Sequence, residues 1–135
     1  MNFKLVILTP YKKYFDSSVE SLSLNTNNGE ITIYANHENL ISNVEISDLK
    51  LKINGRIHHY AISEGVIEVK HDENKAILLL SSIESSDEID IERAIQSEKD
   101  ARKLILSAQT VKELSNAEMK LKKALTRISV KKEEK

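Results

Sequence analysis

The sequence contains no cysteine and no tryptophan, one proline and three glycines in 135 residues. Without cysteine, disulfides and thiolate metal sites are excluded. With so few glycines the phosphate-cradling loops are missing too: neither GxxxxGK[ST] nor GxGxxG occurs. A GxSxG nucleophile elbow and an HExxH zinc helix are equally absent. Aromatic residues make up only 4%, too few for a base-stacking platform or an interfacial membrane anchor. No apolar run approaches the roughly 20 residues that a membrane span needs. The N-terminal run in MNFKLVILTPYKKYF covers about six residues, shorter than a signal-peptide core, and reads as a strand. Neither sign of charge dominates, with 20 Lys+Arg against 21 Asp+Glu and a net charge of −1. A dedicated nucleic-acid binder is usually strongly basic, so none is expected. A cytosolic protein follows, with any membrane association indirect, through partners.

What is present divides into two halves. From residue 3 to about 83 short runs alternate apolar and polar residues between turn signals: FKLVILT, VESLSLNT, EITIYA, ENLISNVEI, DLKLKI, HHYAISE, GVIEVKHD and KAILLLSS. Asn54-Gly55 is the strongest hairpin signal, because a type I′ turn needs φ > 0 at both central residues. Strands at spacings near ten residues indicate a sandwich or barrel. From Asp87 onward the period becomes helical. Ile91, Ala94, Ile95, Ala101, Leu104, Ile105 and Ala108 share one face; after SAQT, Val111, Leu114, Ala117, Leu121, Ala124, Leu125 and Ile128 share another. Ser86 or Asp87 is the expected N-cap of the first helix. Thr110, with Glu113 three residues on, is that of the second. Two such helices pack most easily as an antiparallel hairpin, and the alanines at 101, 117 and 124 allow close approach.

Charge is also divided. Residues 1–86 carry eight basic and eleven acidic groups, residues 87–135 twelve and ten, and residues 110–132 seven and two. The second helix is thus a basic amphipathic rod. Such a helix suits an acidic protein surface, a membrane or nucleic acid; a solvated face that merely covers its neighbour has the same composition.

The histidines offer no metal site. His58 and His59 are adjacent on a strand, so their side chains point to opposite faces and cannot chelate one ion. His71, in the turn KHDEN, reads as solvated, and so does His37 in NHENL when taken alone. No carboxylate pair shows signs of burial. No enzyme is expected.

In order along the chain, Thr9-Pro10, Gly29-Glu30, His37 before Leu40-Ile41, Ser63 and Gly65 with GVIEV, AILLL leading into EIDIERA, and a hairpin closing on LKKALTRISV resemble the epsilon subunits of bacterial rotary F-type ATP synthases. The resemblance covers essentially the whole chain. It departs from the family pattern at Thr32 and Glu64, where glycines are usual, and at Ala35-Asn36, where Pro-Gly is usual. It implies a flattened β-sandwich over residues 1–84 and a regulatory helical hairpin over residues 85–135. The implied partners are the gamma subunit, the c-subunit ring, and the alpha and beta catalytic subunits. The implied place is peripheral, on the cytoplasmic face of the cell membrane. Glu30 would touch the c ring and His37 would lie against gamma. The hairpin would fold down on the sandwich or extend between catalytic subunits and block ATP hydrolysis, with Lys120, Lys122, Lys123 and Arg127 as its inhibitory basic face.

The stretch EIDIERA supports two readings. Asp90 and Glu92 favour the positive end of a helix dipole without any ligand. Some family members, however, bind ATP as a regulatory ligand through an Ile/Leu-Asp-x-x-Arg-Ala motif. By that resemblance Ile89, Asp90, Arg93 and Ala94 would carry the motif here, with Glu84 and Arg127 as further contacts. Asp90 would accept from the adenine amino group and Arg93 would reach the phosphates. Lys123 stands for a family arginine, keeping the charge but not the bidentate fork. Asp100 puts an anion where ATP-binding members carry an arginine, which weakens the site. A competing reading is a stand-alone β-sandwich adaptor whose basic helix binds an acidic partner, lipid or nucleic acid.

Overall fold

The computed structural model describes residues 1–133, as ten strands followed by two helices. The strands are β1 Phe3–Leu8, β2 Lys13–Val19, β3 Ser21–Thr26, β4 Gly29–Tyr34, β5 Leu40–Val44, β6 Ser47–Ile53, β7 Arg56–Ile62, β8 Gly65–Lys70, β9 Lys75–Leu80 and β10 Ile83–Ser85. The strand β3 joins two layers. It pairs along its length with β4; on its other edge it pairs first with β6 (Leu22↔Leu51) and then with β5 (Thr26↔Val44). One layer runs β10-β7-β6-β3-β4 and the other β5-β8-β9-β1-β2. All these pairs are antiparallel except β1 with β9.

Alternation decides which faces meet. In β6, Leu49 and Leu51 are fully buried while Lys50 and Lys52 point away. Leu5, Ile7, Leu22, Leu24, Ile33, Ile67 and Leu78 complete the floor of the same core. Each such side chain contributes roughly 1.5–3 kcal/mol by leaving water. The Asn54-Gly55 turn has φ of 52° and 78°, as a type I′ hairpin requires. Two strands are absent from the sequence reading. β2, KYFDSSV, is largely exposed and lacks clear alternation, yet it pairs with β1 from Phe3↔Val19 onward. β10 is only three residues long.

The helices are α1 Ile91–Ser107 and α2 Val111–Glu133. Thr110 caps α2, its Oγ1 accepting from Glu113 N at 3.1 Å, and Glu113 Oε2 accepts from Gln109 N at 3.0 Å. The expected cap of α1 is corrected. Neither Ser86 nor Asp87 fills that role, because Ser85 and Glu88 close a capping box around a 3₁₀ turn, Ser86–Glu88. The chain then passes through extended Ile89, and Asp90 caps α1. Ala94, Ala101, Ala117 and Ala124 are the buried alanines of the hairpin. The larger residues of the expected faces are less covered: Ile95, Leu104, Leu114 and Leu125 are about half-exposed, and Val111 is 86% exposed. α1 packs on α2, and α2 packs on β6 and β7. No helix among the described residues is long and apolar enough to cross a membrane.

Candidate functional site

The hairpin meets the sandwich through one face of α2. Its apolar part is small: Val130 packs with Ala61 of β7 and Ile89. Polar contacts surround it. Arg127 Nε lies 2.7 Å from Glu84 Oε1, and its Nη2 donates to Oε2 at 3.1 Å. Lys131 Nζ donates to the Ser86 carbonyl at 2.9 Å, and Lys123 Nζ stands 4.0 Å from Glu64 Oε1. These residues frame a cleft of about 270 Å³ lined by Ser63, Ser82, Glu84, Lys123, Thr126 and Arg127. The Ser63 and Ser82 hydroxyls share a 2.6 Å hydrogen bond. Two cations and three hydroxyls face this polar cleft, but Glu84 is already paired with Arg127, Glu64 stands beside Lys123, and the Thr126 hydroxyl donates to the Lys122 carbonyl at 2.8 Å. Ligand pockets usually measure about 300–1,000 Å³, so this cleft accommodates part of a nucleotide rather than the whole.

Of the residues implied for ATP, the fold brings Glu84, Lys123 and Arg127 to this cleft. Asp90 and Arg93 do not line it. Asp90 Oδ1 accepts from the Arg93 backbone N–H at 3.2 Å as a helix cap, and both side chains are exposed. Ile89 and Ala94 are buried, at 4% and 0% exposure, so they pack rather than present themselves to a ligand. Asp100 is exposed on α1 and accepts from Gln96 Nε2 at 2.9 Å. On the basic helix, Lys120 and Lys122 are exposed, whereas Lys123 and Arg127 face the sandwich acids.

A second attachment fixes the base of the hairpin. Tyr14 of β2 donates its hydroxyl to Glu88 Oε1 at 2.5 Å, and the Ser85 backbone N–H donates to the same oxygen at 2.7 Å. The Tyr14 ring stands edge-on to Tyr60, with centroids 6.2 Å apart. Burial and then the Glu88 carboxylate push the Tyr14 hydroxyl well above its ordinary value. Burial pushes the Glu88 carboxyl up, but the Ser85 N–H and Tyr14 hydroxyl outweigh it and hold the group below the usual range. Stability from Glu88 is therefore complete above its unfolded pKa and lost as pH falls through the depressed folded value. Stability from Tyr14 is complete below its unfolded value of 10.0 and is lost as pH rises beyond it. Tyr14→Phe is expected to cost about 1 kcal/mol at neutral pH and to flatten the alkaline limb of a stability profile. Thermal unfolding across pH checks this.

The residues implied for the c ring and gamma are not neighbours. Glu30 lies beside the β3–β4 turn and pairs with Lys50 at 3.5 Å, whereas His37 follows the other end of β4. At about 3.3 Å per residue the two are separated by roughly 20 Å. His71 is exposed, in keeping with its reading as solvated, and also braces the His37 loop, its Nδ1 lying 3.1 Å from the Asn36 carbonyl and 3.2 Å from that of His37. Asn74 Oδ1 accepts from Asn36 N at 2.6 Å beside it. His59, by contrast, pairs with Asp48 at 2.8 Å. Burial raises the Asp48 carboxyl despite that partner. An apolar surface also went unread in the sequence. On the outer face of β5, β8 and β9, Ile41 is 72% exposed, opposite Glu68, and Leu79 is 48% exposed, paired with Val66. The signal for it was KAILLL, where apolar residues occupy both faces of one strand.

Comparison with known proteins gives the chain a context. Residues 2–85 match the family model described as the ATP synthase delta/epsilon chain β-sandwich domain, and residues 87–132 match its long α-helix domain. A protein named ATP synthase epsilon chain from Ruminococcus albus is 37% identical over 128 residues, covering 95% of each chain. One of the same name from Caldicellulosiruptor bescii is 34% identical, covering 98% of this chain and 96% of its own. Among solved structures, a chain of the Euglena gracilis mitochondrial ATP synthase superposes with a TM-score of 0.79 at 20% identity, covering 90% of this chain and 76% of that one. At that identity the likeness is one of fold.

Proposed function

This chain belongs to the ATP synthase epsilon-chain family, and from that we propose that it is a non-catalytic subunit of a rotary F-type ATP synthase. In this reading it sits in the central stalk, joins gamma to the c ring, and restrains ATP hydrolysis through its hairpin. The complex would place it peripherally on the cytoplasmic face of the cell membrane, taking part in ion transport only through its partners. The observation that carries the reading is the way the hairpin is attached. α2 docks on the sandwich through a small apolar cluster and a handful of partly exposed polar contacts, and the Tyr14–Glu88 hydrogen bond ties down the base of the hairpin. An element held like that can leave without unfolding anything else.

The open apolar face of β5, β8 and β9 supports gamma as a partner, since α2 covers the opposite layer and leaves Ile41 and Leu79 in water. ATP is the proposed regulatory ligand, its phosphates meeting Lys123 and Arg127 in the cleft beneath α2. Asp90 and Arg93 then act from the cleft's margin, after a shift of the α1 start toward it. Binding there stabilises the folded-down, non-inhibitory hairpin.

Co-purification tests the assignment: the tagged chain should bring down gamma and the catalytic subunits. Disulfide trapping tests the orientation. A cysteine at position 30 should cross-link to one in a polar loop of the c ring, and Glu30→Ala should weaken coupling only mildly, because a contact so near solvent is worth about 0.2–1 kcal/mol. Failure of both, across several loop positions, would leave the stand-alone adaptor as the better account.

A further inference from the structure

Glu64 sits in the two-residue turn between β7 and β8, on the rim of the cleft under α2. Its backbone is fixed. Ser63 N donates to the Ser82 carbonyl at 3.1 Å, and the Glu64 carbonyl accepts from both Ser81 N and Ser81 Oγ at 3.1 Å. Gly65, next in the chain, has no space for a side chain against the Leu79 backbone. The carboxylate is therefore presented from a rigid corner. One of its oxygens, Oε2, is buried with no hydrogen-bond partner, while Oε1 faces Lys123 at 4.0 Å. A carboxylate oxygen withdrawn from water without a partner is costly unless a cation stands near. Among the described residues Lys123 is the cation that does so.

The arrangement repeats one turn along α2, where Arg127 meets Glu84. The two cations of α2 that face the cleft are thus matched one for one by acids of the sandwich. The docked interface closes with its charge balanced and no ligand in it. We propose that Glu64 is a built-in anion that holds Lys123, and with it the hairpin, on the sandwich when the cleft is empty. Docking in this chain then depends little on nucleotide. A free phosphate meets a lysine already neutralised, so Glu64 sets how strongly the cleft responds to ATP.

The inference rests on the hairpin's mobility, proposed above, and the test separates the two. The full chain, which has no native cysteine, carries fluorescent labels on Asp72→Cys and Lys122→Cys, both at exposed positions. Transfer efficiency between them reads docking without nucleotide at low salt. Glu64→Gln is expected to lower the docking constant about twofold to fivefold, in keeping with a partly exposed pair, and the difference should vanish at high salt. The exchanged pair, Glu64→Lys with Lys123→Glu, should restore docking, which loss of a merely structural residue would not permit. Added ATP should raise docking more in Glu64→Gln than in the parent. A drop with no ATP response supports the Glu64 clamp and overturns ATP as the ligand. Unchanged docking in Glu64→Gln, while Arg127→Ala undocks, overturns the inference alone. If neither variant responds, the hairpin does not leave the sandwich, and both readings fall.

Discussion

Removal of residues 87–135 is expected to leave a folded sandwich and to raise ATP hydrolysis by the assembled synthase severalfold. The first half of this expectation follows from where the core lies. Every member of the main cluster, from Phe3 to Ile83, belongs to the strands. The hairpin adds only Val130 to a separate group with Ala61 and Ile89. Truncation uncovers Ala61, a small residue, and removes Ile89 altogether, so the loss of buried area from the sandwich is minor. The second half depends on the proposed inhibitory role, and hydrolysis assays on reconstituted complexes decide it. Rates unchanged by truncation would mean that the hairpin is no brake. Charge reversal refines the experiment. Reversing Lys120, Lys122, Lys123 and Arg127 together would mimic the deletion at low salt, where screening is weak. It would also disrupt the contacts with Glu64 and Glu84. Reversing only Lys120 and Lys122, which are exposed in the docked hairpin, should weaken the proposed attraction to the catalytic subunits and leave docking intact.

Gly65→Ala is expected to destabilise the sandwich by about 3 kcal/mol or more, at the upper end for overpacked sites. A Cβ at this position would land on the carbonyl oxygen of Leu79, with the Leu80 side chain close behind. Backbone of a paired strand cannot yield as a flexible side chain can. Relief requires separating β8 from β9 at Gly65↔Leu80, beside the turn that carries Glu64. The other two glycines form the contrast. Gly29 and Gly55 meet nothing within 4 Å and are needed for their φ of 104° and 78°. Alanine at either should cost only about 1 kcal/mol, the ordinary penalty of a positive φ. Denaturant midpoints of the three variants check the ranking. A Gly65→Ala protein as stable as Gly55→Ala would refute the steric account.

Much of this architecture was legible in the sequence because burial writes a period of two into strands such as SLSLNT and DLKLKI. β2 was hidden because KYFDSSV is an edge strand exposed along most of its length, so nothing forces it to alternate. The cap of α1 was misplaced for a different reason. The serine and glutamate signals around residue 86 are real, but they serve a 3₁₀ turn one step upstream of the helix. Two caps in tandem look like one in a linear text. The site was the least legible part. Asp90 and Arg93, three apart, announce themselves as a pair, whereas Glu84 and Arg127 lie 43 residues apart. Only the docking of α2 makes them partners, and no periodicity encodes docking. Resemblance to a family suggested both residues; local chemistry could not have done so.

The four buried alanines have a mechanical consequence. Alanine loses no rotamer freedom on packing, so the two backbones can close against each other with little entropic cost, and α1 with α2 becomes a stiff arm. The joint at its base is made differently, from extended Ile89 between two capped turns and from charge pairs that water can reach. Under torque the joint is expected to give before the arm bends. The hairpin would then swing as a single lever pivoting near residue 89, its two helices keeping their register throughout the stroke.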